Sequence, residues 1–247
     1  MRILVALLAL IGLAAIAIVA APASLLAPWI ASQTQGSLRL LDAGGTVWRG
    51  RGTLQSAQST AGVPIAWRVR SVPLLQGDWR VELTPQTPDM PHGTVQVSGD
   101  QVTLSGIKAQ LPASLFQSDR SPAGAIALGG NVVLDVPRFQ WSGRTLSGTG
   151  DARWERARLA LGTLGLDLGT VSVHLVPAGA GVSGALRNEG GDLQLSGTLN
   201  GSPDGTLVIE GRLRPAATLP QWAMLALAAF GRPDAQGAIP FTWRVKL

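Results

Sequence analysis

From Gln35 onward the side chains alternate in polarity with a period of two, and that period decides what this chain can fold into. Trp48, Gly50, Gly52 and Leu54 fall on one face, while Arg49, Arg51, Thr53 and Gln55 fall on the other. Val63, Ile65, Trp67 and Val69 alternate with Ala66, Arg68 and Arg70. Trp79, Val81 and Leu83 alternate with Asp78, Arg80, Glu82 and Thr84. Val95 and Val97, then Val102 and Leu104, extend the pattern across a Gly99-Asp100 turn. Alternation of this kind belongs to strands with one face in water and one against a core. Glycine-containing breaks recur at short intervals, as antiparallel meanders require. Further strands are predicted at Ala125–Val136, Arg138–Trp141, Leu146–Trp154, Leu164–Leu168, Val171–Val176, Asp192–Thr198, Thr206–Leu213 and Ile239–Leu247.

Two segments read as helix. "PASLFQ" at Pro112–Gln117 is short. "LPQWAMLALAAFGRPD" at Leu219–Asp234 is longer, with Pro220 suited to a first helical position and Gly231 to a C-cap. Its apolar face (Met224, Leu227, Ala228, Phe230) suits a helix that plugs one end of a sheet. Both segments recur in an internal echo. Gly106–Val136 and Gly211–Leu247 each read as strand, Leu-Pro, helix, Gly-Ala-Ile, strand. The β-rich body at 35–247 therefore divides into two similar halves, about 35–136 and 137–247.

Residues 1–30 read differently. Met1 and Arg2 precede the uncharged run "ILVALLALIGLAAIAIVAA" at Ile3–Ala21. That is about the roughly 20 residues needed to cross a bilayer core. An Ala21-Pro22-Ala23 cleavage motif is conceivable, but apolar character continues through Leu25, Leu26, Trp29 and Ile30, and a signal-peptide core is shorter. An uncleaved signal anchor is the expectation, with Trp29 at the far interface. The positive-inside rule places Arg2 in the cytoplasm and the body across the membrane, in the periplasm of a Gram-negative cell.

Composition narrows the chemistry. The chain has 247 residues, 46% hydrophobic and 14% charged, with net charge +5. The arginines are spaced singly rather than in a polybasic run, so the charge names no partner. With no cysteine there are no disulfides, thiolate metal sites or cysteine nucleophiles. Two histidines, His92 in a turn-like stretch and His174 on the polar face of a strand, do not make a zinc site. No Gly-x-Ser-x-Gly elbow occurs. "GAGVSG" at Gly179–Gly184 matches a dinucleotide fingerprint in letters, but a turn and another strand follow it rather than a helix. It reads as a glycine-rich β-turn region. No catalytic, cofactor or metal residue is assigned.

Four Trp-Arg pairs, at Trp48, Trp67, Trp79 and Trp243, test the remaining class. A single-strand nucleic-acid binder needs stacking rings and phosphate-binding arginines on one exposed face. Adjacent residues on a strand point to opposite faces. The pairs are therefore split across a sheet, and nucleic acid is excluded as a partner. Trp48, Trp67, Trp79, Trp141, Trp154, Trp222 and Trp243 are assigned to an inward apolar face.

The chain resembles the type II secretion system protein N family. The resemblance is carried by the N-terminal apolar run, by "LLDAGGTVWRGRG", by "WRVRSVPLLQGDWRVEL", by "LPASLF" with the strands after it, and most specifically by "DGTLVIEGRLRPAATLPQWAMLALAAFGRPDAQGAIPFTWRVKL". It implies a non-enzymatic, bitopic inner-membrane accessory of the machine that exports folded periplasmic proteins. Its partners would be other components of that machine. The family is also similar to large periplasmic β-proteins that handle lipids, which implies a curved, incompletely closed antiparallel sheet with one or two short helices. A lipid- or hydrophobe-binding groove is therefore the alternative function, with lipid as the alternative partner.

Overall fold

The computed structural model describes residues 20–57, 61–70, 77–87, 90–116, 126–161, 164–215, 219 and 233–246. They form one antiparallel sheet of thirteen strands whose order in space is their order in sequence. The strands are β1 (Leu38–Gly45), β2 (Arg49–Ser56), β3 (Gly62–Arg70), β4 (Asp78–Leu83), β5 (His92–Ser98), β6 (Gln101–Pro112) and β7 (Ile126–Ser142). They continue as β8 (Thr145–Leu161), β9 (Leu164–Ala178), β10 (Gly181–Glu189), β11 (Leu193–Gly201), β12 (Thr206–Pro215) and β13 (Ile239–Lys246). Neither β1 nor β13 has a second neighbour in the sheet, so the sheet is open. β7 runs straight through residues 136 and 137, so both halves of the internal echo belong to one sheet.

Register carries one apolar face across the whole sheet. Trp67 stands opposite Leu83, Val81 opposite Val95, Val97 opposite Val102, and Leu104 opposite Phe139. Beyond them Leu134 meets Ala152, Ala152 meets Val173, Val173 meets Leu186, and Leu199 meets Ile209.

Several predicted strand breaks are bulges instead. In β7 the apolar phase runs through Val132, Leu134 and Val136 and then flips to Phe139 and Trp141, with a register shift between Asp135 and Arg138. In β9 it flips from Leu166 and Leu168 to Val171 and Val173 at Gly169, whose φ is +68°. The adjacent shift in β8 lies at Arg156, φ +51°. Each extra residue absorbs a phase flip, so the apolar side chains stay on one face while the strand bends.

The sheet curls around that apolar face. Trp141 on β7 donates its indole N–H to the carbonyl of Pro203 at 2.7 Å. Pro203 lies in the β11–β12 turn, four strands away and about 19 Å along a flat sheet. Leu146 on β8 also comes within 3.2 Å of the point where a Cβ on Gly201 would stand. These contacts form only if the apolar face is concave.

Packing is concentrated at the two ends of the sheet. At one end Ala157, Leu166, Leu168, Val171, Leu193, Leu213 and Ile239 are buried together, and Trp154, Leu186 and Phe241 pack on them. Asn188 sits at an apolar-phase position there, and its amide is engaged by the carbonyls of Leu168 and Leu193 and the N–H of Leu195, which satisfies a polar group on the inner face.

At the other end Ala23, Leu40 and Trp67 form the center of a second cluster, reached by Leu26, Ala27 and Ile30. The last three belong to the helix α1 (Leu26–Gln33), which is preceded by a 3-10 turn at Ala23–Leu25. Residues expected to continue the membrane anchor as far as Ile30 therefore pack against the sheet from Ala23 onward. Residues 3–19 of the anchor lie outside the described residues. Among the described residues no helix is long and apolar enough to cross a membrane. The short predicted helix is present as a 3-10 helix at Ala113–Phe116, and the predicted helix at 219–234 lies almost entirely outside the described residues.

Candidate functional site

Six of the seven tryptophans assigned to an inward face lie among the described residues, and they occupy three environments. Trp67 is 6% exposed and donates to the Val47 carbonyl at 2.9 Å. Its ring lies on Gly50 so closely that a Cβ there would collide with the indole, and a Cβ on Gly52 would stand 2.8 Å from a Leu40 methyl. The "WRGRG" stretch thus has a packing reason: its two glycines are the floor under Trp67 and Leu40. Trp154 is half-buried and donates to Gly129 at 2.8 Å, and Trp48 is half-buried.

The others are open. Trp79 is 48% exposed, Trp141 40% and Trp243 47%. Their backbones carry them on the apolar face, but no full layer of described residues covers them. The sequence reading set Trp79 on the same core face as Trp67. The two share the face and differ in cover, because the cluster around Trp67 is made by the first helix and β1–β4 and ends before Trp79. Trp222 lies outside the described residues.

One row of the curled face runs Trp79, Val97, Val102, Trp141 and Leu146 across β4 to β8. A separate cavity of about 360 Å³ opens between β3 and the ends of β6 and β7, lined by Val63, Pro64, Met90, Pro112 and Asn131.

The outer face is polar and ion-paired at the surface. Arg70 and Glu82 are 2.9 Å apart, and Lys108 and Asp135 are 3.0 Å apart. The Arg70 hydrogen bond holds the Glu82 carboxyl below the usual carboxylate range. His174 lies on this face, as its alternation predicts, with Nδ1 2.7 Å from Asp151, both side chains more than half exposed. His92, read as a turn residue, instead begins β5. In "GAGVSG", Gly179 and Ala180 form the turn and Gly181–Gly184 are the start of β10, so no helix N-terminus stands there to receive a phosphate. Among the described residues no group of three or more metal-ligating side chains comes together.

An open meander exposes backbone groups at both of its edges, and here the two rims differ. At β1 the outward backbone of Leu38 is engaged by the Thr34 hydroxyl, a bulge follows at Asp42 (φ +51°), and Pro22 bridges to Thr46 beyond it. Among the described residues β13 has no such cover along its second half. The one sequence signal for this was Pro240, since proline inside a strand belongs on an edge with its nitrogen outward.

Comparison with known proteins agrees with this architecture. The family model for type II secretion system protein N matches residues 36–242, which is almost the whole sheet. The chain belongs to this family. A relative from Klebsiella pneumoniae, named type II secretion system protein N, is 27% identical over 232 residues, covering 92% of this chain and 89% of its own length. No solved structure matches. Membership places the chain in type II secretion and among the proteins of that machine.

Proposed function

We propose that this protein is a non-enzymatic, inner-membrane-anchored accessory of type II secretion that acts through periplasmic protein contacts. The observation that carries this reading is the extent of the family match, which takes in the sheet from β1 into β13 rather than a local motif. The open sheet supports contact by its rims and loops, because an unpaired edge offers a row of backbone groups to another chain. Anchoring is supported by the apolar run at Ile3–Ala21, and by Leu25 and Trp29, which follow it and are 57% and 59% exposed. The experiment is deletion of the gene and measurement of a secreted enzyme released to the medium. Lower release with periplasmic accumulation supports the reading, and unchanged release with the other machine components at normal levels counts against it.

A specific observation favors a second reading, a lipid- or hydrophobe-binding groove. Trp79 and Trp141 are exposed on a concave apolar face between two packed ends, and exposed apolar patches mark binding sites. Titration with a phospholipid bearing a fluorescent acyl chain separates the readings. Saturable binding lost in Trp79→Ala and Trp141→Ala favors the groove, and no binding favors the scaffold.

A further inference from the structure

The two rims of the sheet can be compared backbone group by backbone group. The β11–β12 hairpin closes with the Ser202 N–H on the Thr206 carbonyl at 2.9 Å. Thr206 therefore turns its backbone toward β11, and because successive residues of a strand face opposite sides, so do Val208, Glu210 and Arg212. Leu207, Ile209, Gly211 and Leu213 then face β13 and pair with residues 245, 243, 241 and 239. It follows that Pro240, Thr242, Arg244 and Lys246 turn their backbone groups outward, to the open rim.

The first half of that rim is closed from within. The Asp234 carboxylate accepts the N–H groups of Gln236 and Ala238, the Ala238 carbonyl accepts the Asp234 N–H at 2.8 Å, and Pro240 has no N–H to offer. The second half is bare. Thr242, Arg244 and Lys246 each present both an N–H and a C=O, and none of them has a further partner among the described residues.

Charge then selects the occupant. On the polar face of the rim stand Arg244 and Lys246, across from Val208 and Thr206 of β12, while Arg212 lies farther along β12 across from Pro240. Neither Arg244 nor Lys246 forms an ion pair among the described residues. Of the nearby acids, Asp204 lies close enough to Lys246 to feel its charge, Asp234 feels Arg212 and Arg214, and Glu210 stands across from Thr242, so along this edge four cations meet three carboxylates. On the other face Trp243 is 47% exposed. A second copy of β13 fits badly. Antiparallel self-pairing puts Arg244 opposite Arg244, or Trp243 opposite Trp243 with the basic residues crowded alongside, and like charges directly opposed on a sheet repel.

We propose that Thr242–Lys246 is a docking edge for an extended segment of another protein that alternates acidic and apolar residues. Such a segment adds as a fourteenth strand, with its carboxylates across from Arg244 and Lys246 and its apolar side chains beside Trp243. The proposal rests on the contact-making reading above and names the chemistry of the partner.

The test uses the full-length chain purified in detergent and a fluorescein-labelled peptide of alternating valine and glutamate, with a valine–lysine peptide as control. Anisotropy should show saturable binding of the glutamate peptide and none of the lysine peptide. Arg244→Glu with Lys246→Glu, both exposed and outside the core, should weaken the glutamate peptide by about tenfold or more, because two opposite-charge cross-strand pairs become like-charge ones. Thr242→Pro removes one outward N–H without touching the β12 ladder and should weaken it as well. Equal binding of both peptides, or binding indifferent to the charge reversal, overturns the proposal. So does a photocrosslinker at position 242 that captures a second copy of the chain. A chain that binds neither peptide while its deletion still lowers cargo release overturns the docking edge and leaves the secretion role standing.

Discussion

At the scale of single residues, cover rather than residue type decides what each tryptophan is worth. Trp67 fills a site floored by Gly50 and closed by Leu40 and Ala23, and truncating it to alanine should cost about 3–5 kcal/mol in chemical denaturation. Trp79 keeps half its surface in water, and the same change there should cost less than about 2 kcal/mol. Gly50→Ala should destabilise by about 1–3 kcal/mol, because the new methyl displaces the Trp67 ring. On the outer face Glu82 is the residue to titrate. Its pKa is lowered in the folded state, so its contribution is present above the ordinary value of about 4.3 and is lost as pH falls through the lower folded value. Glu82→Gln should flatten that acid limb while changing stability at neutral pH by no more than about 1 kcal/mol, since the pair is at the surface. Alternation alone sets Trp67, Trp79 and Trp243 on the opposite side of their strands from Arg68, Arg80 and Arg244, while Trp48 precedes β2. How much cover each indole receives was not legible in the sequence, because that depends on the first helix reaching β1–β4 and stopping there.

At the scale of elements, the informative places are where alternation breaks. The sequence reading ended strands at Pro137 and Gly169, and both instead lie inside continuous strands that carry one extra residue there. A phase flip in the apolar pattern looks the same in one dimension whether a turn or a bulge causes it. The distinction lies in the neighbours: the β8 and β9 bulges stand side by side, so the register of 159 with 166 and of 154 with 171 is the same on either side. Gly169 combines φ +68° with a carbonyl packed against it, that of Glu189. Gly169→Ala should cost about 1–3 kcal/mol by thermal or denaturant unfolding, well above an alanine at exposed Gly143. The rims were the least legible elements. Which edge is capped depends on Thr34 and Pro22 reaching the chain at and just beyond β1, and on Asp234 closing the turn ahead of β13, and alternation does not record that.

At the scale of the whole molecule, a meander of thirteen strands with one apolar face has to bury that face on itself or on something else. Curling, fastened by Trp141 on Pro203 and by the clusters at the two ends, buries part of it and leaves the middle row accessible. The open antiparallel sheet and the family were both readable from sequence, the first from period and glycine spacing, the second from the proline- and glycine-marked order of the C-terminal segment. The orientation that places this surface opposite the cytoplasm has its own check: a reporter active only in the periplasm, fused after Leu247, should be active, and an inactive fusion contradicts the proposed topology. The central claim is that the sheet serves type II secretion. Its most direct measurement is the fraction of a secreted enzyme found outside cells that lack the gene, against the same cells complemented with it. The account predicts reduced release with cargo held in the periplasm, restored by the complementing copy. Release that is the same with and without the gene, while the other secretion components are present at normal levels, would contradict it.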